Sequence, residues 1–125
     1  MFVALLMVGC GDDDGEQTAA KIRFAKESGA TKLELHGHQI TDLTPLAELT
    51  DLKTLGLGRN QVTDLTPLAK LIKLKTLWLP NNKITDLTPL AKLTKLKMLY
   101  LGGNPILADQ KEMLRKALPN CRIEF

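Results

Sequence analysis

Leucine residues recur along this chain with a period of 22 positions. Blocks that open with the pattern Leu-x-x-Leu-x-Leu begin at Leu52, Leu74 and Leu96. The last two leucines of a block, such as Leu55 and Leu57, are two residues apart, so their side chains point to the same face of a short strand. One strand cannot bury such a row alone. The repetition therefore predicts parallel strands stacked about 4.8 Å apart, with leucines of neighbouring blocks packed together.

A second pattern returns the chain to the start of the next strand. The phrase TDLTPLAKL begins at Thr63 and again at Thr85. Pro67 lacks an amide donor and suits the start of a helix, with Thr66 as a possible cap. Leucines recur at every third position of the phrase, which suits a tight helical turn facing the same core. Each block therefore predicts one coil, made of a strand and a short helical turn.

An asparagine follows the last leucine of each block by three residues, at Asn60, Asn82 and Asn104. The complete pattern is L-x-x-L-x-L-x-x-N-x-L. From about residue 30 to residue 106, it resembles the bacterial leucine-rich repeats of the 22-residue, internalin-like kind. The resemblance implies an α/β fold. That fold is a right-handed solenoid with a parallel sheet on its concave side, short helical turns on its convex side and helical caps at both ends.

The resemblance also assigns roles to the polar positions of the repeats, which we place in residues 30–107. It implies that the three asparagines form a buried ladder of side chains bonded to backbone groups. His38 takes the asparagine position of the first coil, where the ladder would begin.

Residues 18–29 are predicted to form a helical cap over the first coil. Gly29 suits the end of such a helix. The expected apolar face is formed by Ala19, Ile22 and Ala25. Phe24 is also expected to pack onto the first coil.

Residues 108–125 are predicted to close the other end with a helix and a strand. Asp109 is a plausible cap for a helix from about residue 110 to residue 118. Its apolar stripe would be formed by Met113, Leu114 and Ala117. Adding 22 to Leu96 gives Leu118, and counting onward puts Cys121 and Ile123 in the positions of the second and third leucines. Cys121 is therefore predicted to be a small buried apolar residue rather than a reactive or disulfide-bonded one.

The N-terminal sequence MFVALLMVGC is short and apolar and ends at Cys10. It resembles a bacterial lipoprotein signal, in which residues 1–9 are the signal segment and Cys10 becomes the lipidated first residue after cleavage. Residues 10–17 would form a polar tether. We expect a protein of the bacterial cell envelope, anchored to a membrane through Cys10. The alternative is a loose apolar N-terminus on a cytoplasmic protein. A transmembrane anchor is not expected, because this stretch is too short to span a bilayer of about 30 Å.

Composition removes some classes of function. Hydrophobic residues make up 44% of the chain and charged residues 25%, which are ordinary values for a globular domain. A net charge of +3 does not by itself indicate nucleic acid, which requires a clustered basic stripe, so we expect no nucleic-acid partner. Lysine columns on the convex side, and an acidic column of Asp42, Asp64 and Asp86, are interpreted as solvated surface. The alternative for the lysines is attraction to anionic lipid headgroups or to an acidic partner.

No pattern indicates catalysis or a resident cofactor. Ser28 is the only serine, and the chain contains no nucleophile elbow, no phosphate-binding loop and no Cys–His pair at a useful spacing. We therefore expect a protein that is not an enzyme. His36 and His38 lie close together with Glu34 nearby, so metal binding is an alternative hypothesis. Two ordinary histidines at the edge of the sheet are favoured over it.

Outward-facing strand positions define the predicted concave surface. Its central column, read at every twenty-second position, contains Glu34, Gly56, Trp78, Tyr100 and Arg122. The only tryptophan and the only tyrosine of the chain are therefore neighbours beside a cation, and these residue types dominate binding hot spots. We predict a non-enzymatic module that binds a protein or a short peptide segment. The predicted contact residues are Trp78, Tyr100, Arg122, Arg59 and Glu34.

The small area of the concave surface limits this prediction. Five strands about 4.8 Å apart, with four residues of about 3.3 Å each, give a surface of roughly 300 Å². That area is well below the roughly 800 Å² per partner of a standard interface, so the face should bind weakly or bind a short segment.

The alternative function is a structural envelope protein without a specific ligand, in which Trp78 and Tyr100 merely stack and Arg122 covers Tyr100.

Overall fold

The chain folds into a row of parallel strands with a helix at each end. The computed structural model describes residues 14–125, so Cys10, the predicted signal segment and the first residues of the predicted tether lie outside the described part. The helices are α1 (Asp14–Ser28) and α2 (Ala108–Ala117). The strands are β1 (Lys32–Glu34), β2 (Thr54–Gly56), β3 (Thr76–Trp78), β4 (Met98–Tyr100) and β5 (Arg122–Glu124). The connections from β1 to β4 contain 3₁₀ helices at Thr44–Leu46, Thr66–Lys70 and Thr88–Lys92.

The strands pair in parallel and in chain order, from β1 to β5. Leu33 pairs with Leu55, Leu55 pairs with Leu77, and Leu77 pairs with Leu99. The partners differ by 22 in sequence position, which confirms the predicted period for the first four strands. The parallel sheet, the 3₁₀ helices opposite it and the two flanking helices confirm the predicted leucine-rich repeat fold.

Aliphatic side chains from all coils meet in a single core. Leu55, Leu77 and Leu99 of the strands have no measurable exposure, and the same holds for Leu68 and Leu90 of the 3₁₀ helices. Full burial of such a side chain contributes roughly 1.5–3 kcal/mol relative to leaving it in water. Because each coil supplies leucines to both sides of this core, no coil can bury its own apolar face without a neighbour.

The last coil does not follow the predicted spacing. Leu99 pairs with Ile123 and Tyr100 pairs with Glu124, so the partners differ by 24 in sequence position rather than by 22. The extra residues belong to a coil that contains the ten-residue helix α2 in place of a 3₁₀ helix of three to five residues. Ile123 therefore takes the position of the second leucine, which was predicted for Cys121. Cys121 packs against the core but is only partly buried, so the prediction of a buried residue at this position is only partly correct.

The three asparagines form the predicted ladder, in which Asn60 and Asn82 are buried and Asn104 is partly buried. The side-chain amide of Asn82 donates to the carbonyl oxygens of Leu57 (3.0 Å) and Leu79 (3.1 Å), which belong to two successive coils. Its Oδ1 accepts a hydrogen bond from the backbone N–H of Val62 at 3.1 Å. The asparagines of the neighbouring coils make equivalent bonds. Each amide therefore joins one coil to the previous one through backbone groups that would otherwise be buried without partners.

His38 occupies the first position of this ladder and has a different contact. Its Nδ1 lies 2.9 Å from Thr18 Oγ1 of α1, and the two atoms share a hydrogen bond. Its backbone N–H donates to Oδ1 of Asn60 at 2.9 Å. The first rung of the ladder thus joins the N-terminal helix to the solenoid.

Helix α1 begins at Asp14, so residues 14–17 are helical rather than part of the predicted tether. Its buried side chains are Thr18 and Ala25, with Ile22 partly buried between them, whereas Ala19 is exposed. The expectation for Phe24 is wrong, because its side chain is 72% exposed. A helix turns about 100° per residue, so Phe24 cannot share the face of its neighbour Ala25.

Aspartate side chains, rather than the predicted threonines, accept hydrogen bonds at the starts of the 3₁₀ helices. Asp64 Oδ1 accepts from the backbone N–H of Thr66 at 2.9 Å, and Asp42 and Asp86 make the same bond in their own coils. The threonine hydroxyl and then the backbone N–H of the same threonine hold the pKa of each aspartate below its usual value. The acidic column is therefore part of the turns as well as solvated surface.

Helix α2 closes the C-terminal end of the core. It starts at Ala108, two residues earlier than predicted, after Leu107, whose side chain cannot accept a hydrogen bond. Leu114 is fully buried, and Met113 and Ala117 are partly buried against the core. The predicted apolar stripe is confirmed.

Candidate functional site

Trp78 and Tyr100 lie next to each other on the concave sheet. Their ring centroids are 3.8 Å apart and the ring planes differ by 12°, so the two rings stack. The stack follows from the register, because β3 pairs with β4 so that Trp78 lies opposite Tyr100. Trp78 remains 39% exposed. The pair, which we call the aromatic platform, presents a broad amphipathic surface of rigid side chains to solvent.

The neighbours of the aromatic platform differ from those predicted. On the C-terminal side, Tyr100 pairs with Glu124 rather than Arg122, because the last coil is two residues longer. Arg122 lies opposite Met98, in the adjacent column. Its Nε donates to Glu124 Oε2 at 2.8 Å, so the guanidinium binds this carboxylate. Placing Arg122 beside Tyr100 in the central column was wrong.

On the N-terminal side, the platform borders a gap in the surface that His36 fills. Gly56 lies opposite Trp78 in the sheet and has no side chain. The imidazole of His36 lies above it, with Nε2 2.5 Å from the place that a Cβ at this position would occupy. The backbone N–H of Gly58 donates to Nδ1 of His36 at 3.0 Å, which holds the ring there. Sequence reasoning did not predict that His36 would fill this space beside Trp78, although the glycines at positions 56 and 58 were a sign that space was available.

Glu34 and Arg59 lie at the margin of this surface. Glu34 is separated from Trp78 by the strand that contains Gly56, and its carboxylate is 3.9 Å from Nζ of Lys32. Arg59 lies in the turn after β2 with a φ of +59°, a position at which the first and fourth coils have glycine. The structure therefore brings Trp78, Tyr100 and Glu124 together, with Glu34 and Arg59 farther away.

The two histidines have separate protein contacts. His36 accepts a hydrogen bond from Gly58, and His38 is bonded to Thr18 of α1. Among residues 14–125, no group of three or more histidine, cysteine or acidic side chains is arranged to hold a metal ion. Cys121 is a free thiol in this part of the chain, and burial raises its pKa. We therefore find no support in these residues for the metal hypothesis.

A depression in the surface lies between α1 and β1, away from the aromatic platform. It has a volume of about 360 Å³. Its lining residues are Ala20, Lys21, Phe24, Ala25, Ala30, Lys32 and Leu33. The exposed ring of Phe24 forms part of its wall, and only Lys32 belongs to the concave columns. None of the helices in the described range is long and apolar enough to cross a bilayer.

Comparison with known protein families places the chain. The family model described as leucine-rich repeats in two copies matches residues 31–70 and 72–115, which is more than half of the sequence. The chain belongs to the leucine-rich repeat family. The match includes β1 to β4 and most of α2, and so covers both residues of the aromatic platform. A search of curated proteins finds no match.

Solved structures of two internalins and of one leucine-rich repeat protein are similar to this one. Internalin C2 of Listeria monocytogenes is 45% identical over 68% of this chain, with a TM-score of 0.62. The internalin InlF of the same species is 30% identical over 91% of this chain, with a TM-score of 0.76. A leucine-rich repeat protein of Leptospira interrogans is 33% identical over 83%, with a TM-score of 0.74. The matched region spans only 37%, 36% and 27% of those chains, respectively.

Proposed function

We propose that this protein is a non-enzymatic binding module whose aromatic platform contacts a protein or a short peptide segment. Leucine-rich repeat proteins generally serve as protein-binding modules. The observation that carries the proposal is the stacked pair of Trp78 and Tyr100, which remains open to solvent on the concave sheet. Such side chains provide large contact areas at a low cost in conformational entropy.

The charges around the platform favour a partner with polar groups beside an apolar anchor. Glu124 adjoins Tyr100, and Arg122 is bonded to Glu124. Glu34 and Arg59 would contact only the more distant parts of a bound segment. An extended segment lying across the strands would meet the aromatic platform first and the paired charges of β5 next. We therefore retain all five predicted contact residues and add Glu124 and His36.

A pull-down from bacterial envelope extract tests this proposal. The bait is the parent protein beside the variant Trp78→Ala/Tyr100→Ala. Trp78 is 39% exposed and neither ring belongs to the buried core, so the double variant should remain folded. A matched control is Phe24→Ala/Ile72→Ala, which removes two exposed apolar side chains outside the concave columns.

We expect specific proteins to be recovered with the parent and the control but not with the platform variant. Recovery of the same proteins with all three baits would contradict binding through the platform. That outcome would favour the structural role without a specific ligand.

The proposed location is the bacterial surface, with a lipid anchor at Cys10. Similarity to the Listeria internalins supports a bacterial surface or secreted protein of the internalin-like subclass. The sequence that ends at Cys10 supports lipidation. Intact mass measurement of the native N-terminus tests this directly. Addition of a diacylglyceryl group to a chain that starts at Cys10 would support the anchor, and an unmodified cysteine would exclude it.

An anchor at Cys10 would also orient the solenoid. Helix α1 starts at Asp14, so the chain from Cys10 to the helix can span at most about 14 Å. Thr18, near the start of α1, is bonded to His38 at the asparagine ladder, whereas Lys26 reaches Glu48. The ladder side of the molecule would therefore face the membrane. This orientation disfavours contact between lipids and the lysines that precede the strands, which lie on the opposite side.

A further inference from the structure

The outer edge of β5 has backbone groups that are free to pair. In the described part of the chain, β5 is the last strand of the sheet. The N–H of Arg122 donates to Lys97 at 2.8 Å, and the carbonyl oxygen of Glu124 accepts from Leu101 at 2.7 Å. Backbone groups of successive residues in a strand point to opposite sides. The N–H and C=O of Ile123 therefore point outward, away from β4.

The side chains at this end are also less covered than those of the other coils. Ile123 is only partly buried, whereas the residues that pair in its row, Leu33, Leu55, Leu77 and Leu99, are at most 8% exposed. A depression of about 270 Å³ lies beside it. Its lining residues are Arg115, Leu118, Pro119, Cys121 and Ile123. The end of the core thus presents apolar surface next to the unpaired strand edge.

The sequence of β5 is complementary to itself in an antiparallel pair. If two copies align so that Ile123 lies opposite Ile123, the two residues can exchange both backbone hydrogen bonds. Arg122 of each copy then lies opposite Glu124 of the other, and these side chains share the concave face. Opposite charges directly across two strands stabilise the pairing. We propose that two copies of this protein associate edge to edge through β5.

This association would close as a two-fold dimer. The other edge of the sheet, at β1, is packed by α1, where Ala25 and Leu33 are buried. Within residues 14–125, the β5 edge is the one that remains open for pairing, so two copies of this chain that pair through it form a closed dimer. A strand edge buries much less than the roughly 800 Å² per partner of a stable interface, so the dimer should be weak and depend on concentration.

Dimerisation would enlarge the concave surface. Two sheets joined at β5 would form one ten-stranded sheet, and the area estimated above would double from roughly 300 Å² to roughly 600 Å². The two tyrosines of the aromatic platforms would be three strand spacings apart across the sheet, which is about 14 Å. The dimer proposal does not depend on ligand binding, so its failure would leave the proposed function standing.

Sedimentation velocity over a concentration series tests the dimer. Cys10→Ser in every sample prevents acylation from causing association. We expect the parent to convert from monomer to dimer as concentration rises. Arg122→Glu places two carboxylates opposite each other at both symmetric positions, so the dissociation constant should rise at least about tenfold. Glu124→Arg should have a similar effect.

The double variant Arg122→Glu/Glu124→Arg restores opposite charges and should associate as the parent does. Lys95→Glu, which makes the same change in net charge as Arg122→Glu at an exposed residue outside β5, serves as a control and should not weaken the dimer.

As a second measurement on the parent, hydrogen exchange at the amide of Ile123 should slow as concentration rises. A monomer at every concentration, or a dimer indifferent to the single reversals, would overturn the proposal. In that case the charges of β5 would serve to keep the edge unpaired.

Discussion

Single asparagine side chains should contribute several kcal/mol to the free energy of unfolding, because each one joins two coils. Asn82 is 6% exposed, and its amide bonds join carbonyl groups of two coils. Replacement by alanine would leave several buried backbone groups without partners, each at a cost of about 1–3 kcal/mol. We therefore expect Asn82→Ala to lower the free energy of unfolding by about 3 kcal/mol or more, measured by urea denaturation. Lys83→Ala, at the exposed next residue, should change it by less than about 0.5 kcal/mol. Equal effects of the two changes would contradict the ladder.

Aspartates at the turns should make the folded state less stable at acid pH. The hydroxyl and N–H of the following threonine hold the pKa of Asp42, Asp64 and Asp86 below its usual value. Because the folded pKa is lowered, the stabilisation is present above the ordinary pKa of about 4 and is lost as pH falls through the folded pKa. Urea midpoints should therefore fall as the pH is lowered below about 4. In Asp64→Asn, which keeps an acceptor oxygen but cannot titrate, this fall should be smaller. An unchanged pH profile would show that the turn at Asp64 does not contribute.

The spacing located the asparagines, and the resemblance to internalin-like repeats implied their role in a ladder. That role agrees with the rule that a buried polar side chain must be hydrogen-bonded. The aspartates were interpreted only as surface, although an aspartate two residues before a threonine is a known turn pattern. The roles of His36 and Gly56 depend on a contact between two coils. The sequence alone could suggest that there is space above Gly56, but not which side chain fills that space.

At the scale of elements, the period holds only where the connecting element is the same. The first four strands are separated by coils with 3₁₀ helices, and they keep the predicted period of 22. The last coil contains the longer helix α2, and its strand is shifted by two residues. That shift moved Arg122 out of the central column and placed Glu124 beside Tyr100. Sequence counting could not detect the shift, because the number of residues that a helix adds to a coil depends on how it packs.

Helix α2 should contribute to stability chiefly through Leu114, which is fully buried. Leu114→Ala removes most of a core side chain at the end of the solenoid, so we expect a loss of about 2–5 kcal/mol in the free energy of unfolding. Leu107→Ala is a matched control, because Leu107 is 71% exposed. The control should lose less than about 0.5 kcal/mol by the same urea titration. A similar loss in both variants would mean that α2 does not seal the core as described.

At the scale of the whole molecule, the two ends of the sheet are closed differently. Helix α1 packs on β1 and is joined to the ladder through Thr18 and His38. Helix α2 packs beside the 3₁₀ helix Thr88–Lys92, and β5 is the outermost strand at that end within residues 14–125. The concave surface between these ends holds the aromatic platform. The fold was predictable from the repeats, whereas the surface around Tyr100 depended on the one coil that departs from them.

The central claim is that every twenty-second residue occupies an equivalent place in the coils of the first four strands, and that this equivalence brings Trp78 and Tyr100 together. An inserted coil tests it most directly. One variant carries a second copy of residues 52–73 between Lys73 and Leu74, and its control carries the same insert without Thr63, an exposed residue. Urea unfolding of both variants, followed by circular dichroism, is the measurement.

The full-length insert adds one complete coil, so we expect it to unfold cooperatively and to be at least as stable as the parent. The insert that lacks Thr63 cannot keep both the strand and the 3₁₀ helix of its coil in register with their neighbours, and it should lose stability and cooperativity. If the two inserts behave alike, the coils are not held in register by the repeat, and the account of the aromatic platform is wrong.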